Sequence, residues 1–148
     1  MLTLHTAPLS RSSPDASPVG QWAVAVAGDR IAALGPLAEL VGAYPGARVR
    51  RWPGTLGPGL LHDGPLPTAD TPRERVHVLF RGGVTAVLAG HVADPALRAA
   101  AERSGLLVLP VARPPELVVG GRADLAVLDA DGACLATVAG GRIVHRRA

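Results

Sequence analysis

The sequence of 148 residues contains no Lys, no Asn and a single Gln, so all fifteen of its basic residues are Arg. This bias is typical of a high-GC genome and says little about function. Aromatic residues make up only 3% of the chain, and the formal net charge is only +3. A nucleic-acid binder normally has a larger positive excess and aromatic side chains that stack on bases. We therefore expect no nucleic-acid partner.

Cysteine and long apolar runs are also scarce. Cys134 is the only cysteine, which excludes an internal disulfide. No apolar run approaches the roughly 20 residues that span a bilayer. The first residues lack the basic and apolar regions of a signal peptide. A cytoplasmic protein without a membrane partner is the expectation.

Residues 1 to about 60 alternate in short runs, which predicts strands near 2–6, 21–27, 30–35 and 47–52. Gly28-Asp29 is a turn signal that joins two of these strands into a hairpin. In the last run, the alternation predicts that Val49 points inward and that Arg48 and Arg50 point outward.

The period changes between about 68 and 110. Thr71 followed by Pro72 predicts a helix start, and this helix should end at Gly82. Residues 84–89 form a continuous β-type run, as a buried parallel strand would. A second helix should begin after Asp94 and end at Gly105, before a second buried strand at 106–109. This order predicts a βαβ unit preceded by a helix.

Residues 117–148 return to short strands separated by Gly turns, which predicts an antiparallel meander over 124–129, 133–139 and 142–145.

The runs at 24–35, 58–61, 120–129 and 137–144 resemble, in their order and spacing, the amidohydrolase superfamily and particularly its imidazolonepropionase-like branch. In that family both chain ends form a small β-sandwich around a metal-binding (β/α)8 barrel. The resemblance implies a mixed α+β fold. Residues 1–62 and 115–148 would form the composite β-sandwich, and residues 63–114 an inserted α-β-α-β remnant of the barrel.

The sequence departs from the family where the chemistry would lie. In the family, the pattern seen here as Pro58-Gly59-Leu60-Leu61 leads to a His-x-His metal pair, and those two positions are Gly64 and Leu66. No Lys is present to bridge two metals. A complete barrel takes roughly 250 residues, whereas only about fifty lie between the two ends. The resemblance therefore implies a barrel that is largely deleted.

Three other residues remain as binding candidates: His62, Asp63 and His91. His91 follows a predicted parallel strand at the edge where open α/β sheets bind ligands. Together the three could hold zinc or another divalent metal, or share a proton. The alternative for His62 and Asp63 is a loop in which the aspartate bonds its own backbone.

The other acidic and histidine residues receive structural interpretations. His77 is expected on a helix face, and His5 and His145 on terminal strands that could be neighbours. Asp124 and Asp129 bracket a strand and are assigned to turns.

Three functions follow as hypotheses. The sequence favours a non-catalytic, pseudoenzyme-like binding or interaction module that needs no cofactor and whose open strand edges are covered in a homodimer or by a partner protein. The alternative is a small metal-dependent hydrolase of non-peptide C–N bonds, a cyclic-amide or aminohydrolase, with a site rebuilt around His62, Asp63 and His91. A third is a small-molecule pocket at Gly90 and His91 without turnover.

Overall fold

A computed structural model describes residues 2–147 as a mixed α+β protein dominated by sheets. In chain order, the strands are β1 (Leu2–Thr6), β2 (Leu9–Ser10), β3 (Val19–Gly20), β4 (Trp22–Ala27), β5 (Arg30–Pro36), β6 (Arg48–Arg51), β7 (Thr55–Pro58), β8 (Leu60–His62), β9 (Val84–Leu88), β10 (Leu107–Leu109), β11 (Leu125–Leu128), β12 (Cys134–Ala139) and β13 (Arg142–Arg146). The three helices are α1 (Leu37–Ala43), α2 (Pro72–Arg81) and α3 (Pro95–Ser104).

The first sheet has four strands in the order β5-β4-β1-β6. The predicted hairpin is confirmed, because β4 and β5 pair antiparallel across the Gly28-Asp29 turn. Gly28 has a φ of +61°, a left-handed conformation that glycine adopts without steric cost. α1 packs on one face of this sheet through Leu37 and Leu40.

The second sheet joins the two ends of the sequence, in the order β13-β12-β11-β7-β2-β3. The predicted C-terminal meander is confirmed, since β11, β12 and β13 pair antiparallel in succession. β11 also pairs antiparallel with β7, which comes from the first 60 residues.

The third sheet is parallel, with the order β10-β9-β8, and carries α2 and α3 on one face. Both predicted helix starts are confirmed. The Thr71 hydroxyl accepts a hydrogen bond from the Glu74 amide at 3.1 Å, and the Asp94 carboxylate accepts one from the Ala96 amide at 3.3 Å. Gly105 ends α3 with a φ of +87°.

Two buried cores connect these layers. One contains side chains from both larger sheets, including Val26, Ile31, Leu56, Leu125 and Val138. The other lies between the helices and the parallel sheet and extends to Ala139 of β12. The Thr137 hydroxyl, fully buried, donates to the Phe80 carbonyl at 2.6 Å and so joins α2 to the six-stranded sheet.

Two predictions about the strands are wrong. Val49 is 37% exposed, whereas Arg50 is partly buried with its guanidinium carbon 5.5 Å from the centroid of the Trp52 ring. The aromatic ring covers the face that alternation assigned to solvent. His5 and His145 are not neighbours either, because β1 and β13 belong to different sheets.

Within residues 2–147, no helix is both long enough and apolar enough to cross a membrane.

Candidate functional site

The parallel sheet brings two of the three candidate residues together. Asp63 follows β8 directly, and His91 lies in a 3-10 turn, Ala89–Val92, that follows β9. Because β8 and β9 run parallel, both residues lie at the carboxyl edge of the sheet. His91 Nε2 is 3.3 Å from Asp63 Oδ1, with the two side chains 30% and 68% exposed. The pair can exchange a proton or orient a polar ligand.

His62 does not join this pair. Its Nε2–H donates to the Pro65 carbonyl at 3.0 Å, because a carbonyl can only accept. Among residues 2–147, no group of three His, Cys, Asp or Glu side chains is placed to hold a metal ion. The three-residue cluster of the sequence hypothesis is thus reduced to the His91–Asp63 pair. A local contact, three residues away in the chain, has replaced the long-range contact that the hypothesis required.

Neither position that the resemblance assigns to a metal ligand carries a ligand side chain. Gly64 has no side chain, and Leu66 is only 4% exposed. Leu66 belongs to the core of the helical layer, together with Val76 and Phe80. The Arg75 guanidinium donates to the Leu66 carbonyl at 3.1 Å and holds this segment against α2. The side chains at these two positions therefore cannot supply the metal ligands that the resemblance implies.

A cavity of about 450 Å³ lies on the other face of the parallel sheet. Leu61, Leu107 and Leu109 line one side, and Arg122 and Asp124 the other. Arg122 also donates to the Gly105 carbonyl, which ends α3. The cavity thus lies where the parallel sheet meets the C-terminal meander.

Asp124 is not the turn residue that the sequence predicts. Its carboxylate accepts from the Gly140 amide at 2.8 Å and lies 3.5 Å from Arg122 Nε. Burial raises the pKa of Asp124, while the Gly140 hydrogen bond and the nearby guanidinium of Arg122 act in the opposite direction. No local pattern could have revealed this, since Gly140 is sixteen residues away. Asp129, by contrast, accepts from the Asp131 and Ala133 amides at 2.9 Å, so its turn role is confirmed.

Known proteins provide an independent view of the chain. Residues 23–47, which include β4, β5 and α1, match the family described as the imidazolonepropionase-like composite domain of bacteria. No curated protein matches the sequence.

Several solved structures share the fold. Helicobacter pylori aminofutalosine deaminase is 14% identical, with a TM-score of 0.52, over 73% of this chain and 32% of that one. E. coli guanine deaminase is also 14% identical, with a TM-score of 0.55, over 73% of this chain and 35% of that one. A Xanthomonas campestris adenosine deaminase with bound zinc is 18% identical, with a TM-score of 0.52, over 72% and 33%.

This chain therefore spans about a third of the length of the deaminases that it resembles. At these identities the likeness concerns the fold alone. The resemblance seen in the sequence is confirmed to this extent: residues 23–47 match the imidazolonepropionase-like composite domain, and the chain shares its fold with these deaminases.

Proposed function

We propose that this protein is a non-catalytic, amidohydrolase-like binding or interaction module that requires no cofactor. The observation that carries the proposal is Leu66, a buried core residue at a position where the resemblance places a metal ligand. A side chain committed to packing cannot coordinate a metal without leaving the core. Gly64, the other such position, offers no ligand atom.

The proposal includes a division of the chain. Residues 1–62 and 115–148 form the composite β-sandwich, and residues 63–114 are the α-β-α-β remnant of a (β/α)8 barrel. The shared core of the two larger sheets supports the first part. The parallel pairing of β9 and β10 across α3 supports the second. β8, at the end of the first range, adds a third strand to the remnant.

The remnant offers a reason for association. A closed barrel has no edges, whereas β8 and β10 each pair only with β9 among residues 2–147. In the loop between β10 and β11, Val111 and Val119 are 73% and 63% exposed. We propose that a protein partner, foremost a second copy of this chain, covers this side of the molecule.

Light scattering coupled to size exclusion tests the association. Wild type should have the mass of a dimer at micromolar concentration, and a Val111→Asp/Val119→Asp variant should be monomeric. The matched control is Val41→Asp/Val49→Asp, because these valines are also exposed but lie on α1 and β6. A wild type that stays monomeric at every concentration would contradict the proposed homodimer.

The alternative function is a small metal-dependent hydrolase of non-peptide C–N bonds, either a cyclic-amide hydrolase or an aminohydrolase. The contact between His91 and Asp63 favours it, because such a pair is suited to general acid–base work.

Elemental analysis of untagged protein, purified without chelators, separates the two functions. We expect no stoichiometric zinc, iron or nickel, and no turnover of cyclic amides or aminopurines. Near-stoichiometric metal that is lost in His91→Ala but kept in His77→Ala would overturn the non-catalytic proposal. His77 is a suitable control because it is an exposed histidine on α2.

A further inference from the structure

A groove of about 1140 Å³ runs between α2, α3 and β13, and its lining includes neither the His91–Asp63 pair nor any residue of the cavity at Asp124. Its rim carries one acidic side chain, Glu74, and four arginines: Arg73, Arg81, Arg103 and Arg142. All four arginines are exposed. Residues 2–147 contain five ion pairs, and none of them includes any of these four arginines.

The charges of the groove also affect His145 on β13, which is not itself among the lining residues. The pKa of His145 is lowered first by burial, and then by the nearby charges of His77 and Arg81. His77 itself lines the groove. A strand and a helix that are distant in the sequence thus contribute to one field of positive potential.

The floor of the groove is aliphatic. Val78 and Val144 are partly buried in it, and Ile143 is 39% exposed. Phe80 is the one Phe, Tyr or Trp residue of the lining and is only 3% exposed, so the groove presents no large aromatic face on which a base could stack. A basic rim over an aliphatic floor complements a peptide that alternates acidic and aliphatic side chains better than it complements a nucleic acid.

We propose that the groove between α2, α3 and β13 binds an acidic, amphipathic peptide segment of a partner protein. Its carboxylates would contact the four unpaired arginines, and its aliphatic side chains would contact Val78, Ile143 and Val144. The volume exceeds the several hundred Å³ typical of small-molecule pockets, which favours an extended segment. This inference rests on the proposed function in that it specifies what an interaction module would bind.

The probe is a synthetic, fluorescein-labelled peptide with the repeat Glu-Glu-Leu, titrated by anisotropy at about 50 mM NaCl. Wild type should bind it, and the affinity should fall steeply toward about 300 mM NaCl, because salt screens exposed charges. In amide NMR spectra, the peptide should shift signals of α2, α3 and β13. A Lys-Lys-Leu peptide of equal length should not bind.

The variant Arg81→Glu/Arg142→Glu should weaken binding by about tenfold or more. The control, Arg48→Glu/Arg51→Glu, reverses two exposed arginines of β6 that also make no ion pair among the described residues. This control has the same net charge as the groove variant and should bind like wild type. If the groove variant misfolds by circular dichroism, Arg103→Gln/Arg142→Gln removes charge without reversing it and should also weaken binding.

Absence of binding at low salt, or equal losses in the groove and β6 variants, would overturn the inference. Preference for a single-stranded oligonucleotide over the acidic peptide would overturn it as well. These failures are distinguishable from failure of the proposed function. Stoichiometric metal with turnover would refute the non-catalytic role and leave the peptide titration unchanged.

Discussion

Acidification should destabilise the protein through a single buried contact between His5 and Trp52. The two side chains are 3% and 7% exposed, and their rings are parallel within 4°. Trp52 Nε1–H donates to His5 Nδ1 at 3.1 Å, so that nitrogen must be unprotonated. A proton on His5 Nδ1 would face the indole N–H and would also place a charge in the core.

The size of the effect follows from the pKa values. Burial first, and then the charge of Arg50, lowers the pKa of His5 from 6.5 to about 4. Because the pKa in the folded state lies below that in the unfolded state, neutral His5 stabilises the fold fully above pH 6.5. This stability is lost progressively as the pH falls from 6.5 through about 4. The loss amounts to about 2 kcal/mol at about pH 5 and about 3 kcal/mol at about pH 4.

Urea unfolding, followed by tryptophan fluorescence at about pH 8, 6.5, 5 and 4, measures the dependence. In His5→Gln, the free energy of unfolding should be lower at high pH. Its dependence on pH should lack the part that His5 contributes. The exposed His77→Gln serves as control and should keep the pH dependence that His5 contributes. Asp124 and His145 titrate in both wild type and His5→Gln and cancel in that difference, whereas His77→Gln also removes a charge that lowers the pKa of His145.

Equal slopes in wild type and His5→Gln would refute the reasoning. That result would mean that His5 accepts a proton in the folded state without losing its partner.

Three other substitutions test the packing. Thr137→Val removes the hydroxyl that donates to the Phe80 carbonyl; it should cost about 1 kcal/mol in urea unfolding, and Thr137→Ser should restore the loss. Gly59→Ala places a Cβ against the buried side chain of Thr85 and should cost about 1–3 kcal/mol. The double variant with Thr85→Ala should recover part of that loss, and strictly additive losses would contradict the predicted clash. Leu66→His introduces a ligand type at the position implied by the resemblance. It should cost about 2–4 kcal/mol without zinc uptake by elemental analysis, and stability unchanged from wild type would argue against the packing role.

The elements that could be predicted from the sequence are those with local signals. α2 begins at a cap three residues from its donor, and α3 ends at a left-handed glycine. Such interactions lie within one turn of chain, so a single sequence displays both partners side by side. The Gly28-Asp29 hairpin follows the same logic.

The candidate site depended on distant partners and was predicted less well. His91 and Asp63 meet because the parallel strands β8 and β9 end at one edge. The predicted βαβ unit contains the strand before His91 but not β8, which the resemblance assigns to the β-sandwich. The prediction that His62 joins this site is not supported, because its ring donates a hydrogen bond to a carbonyl three residues away. The contact between His5 and Trp52 joins residues 47 positions apart, and no periodicity in either strand encodes it.

Several contacts join the turn at residues 28–31 directly to the segment at residues 121–141. The Ile31 amide donates to the Gly121 carbonyl at 2.9 Å, and the Ala123 amide donates to the Asp29 carbonyl at 2.8 Å. Gly141 lies so close to the Gly28 carbonyl that a Cβ could not be accommodated, and its φ of +81° also favours glycine. Every partner in these contacts lies outside residues 63–114. Because these contacts do not involve residues 63–114, we expect the pairing of the two segments to withstand substitutions in the proposed barrel remnant.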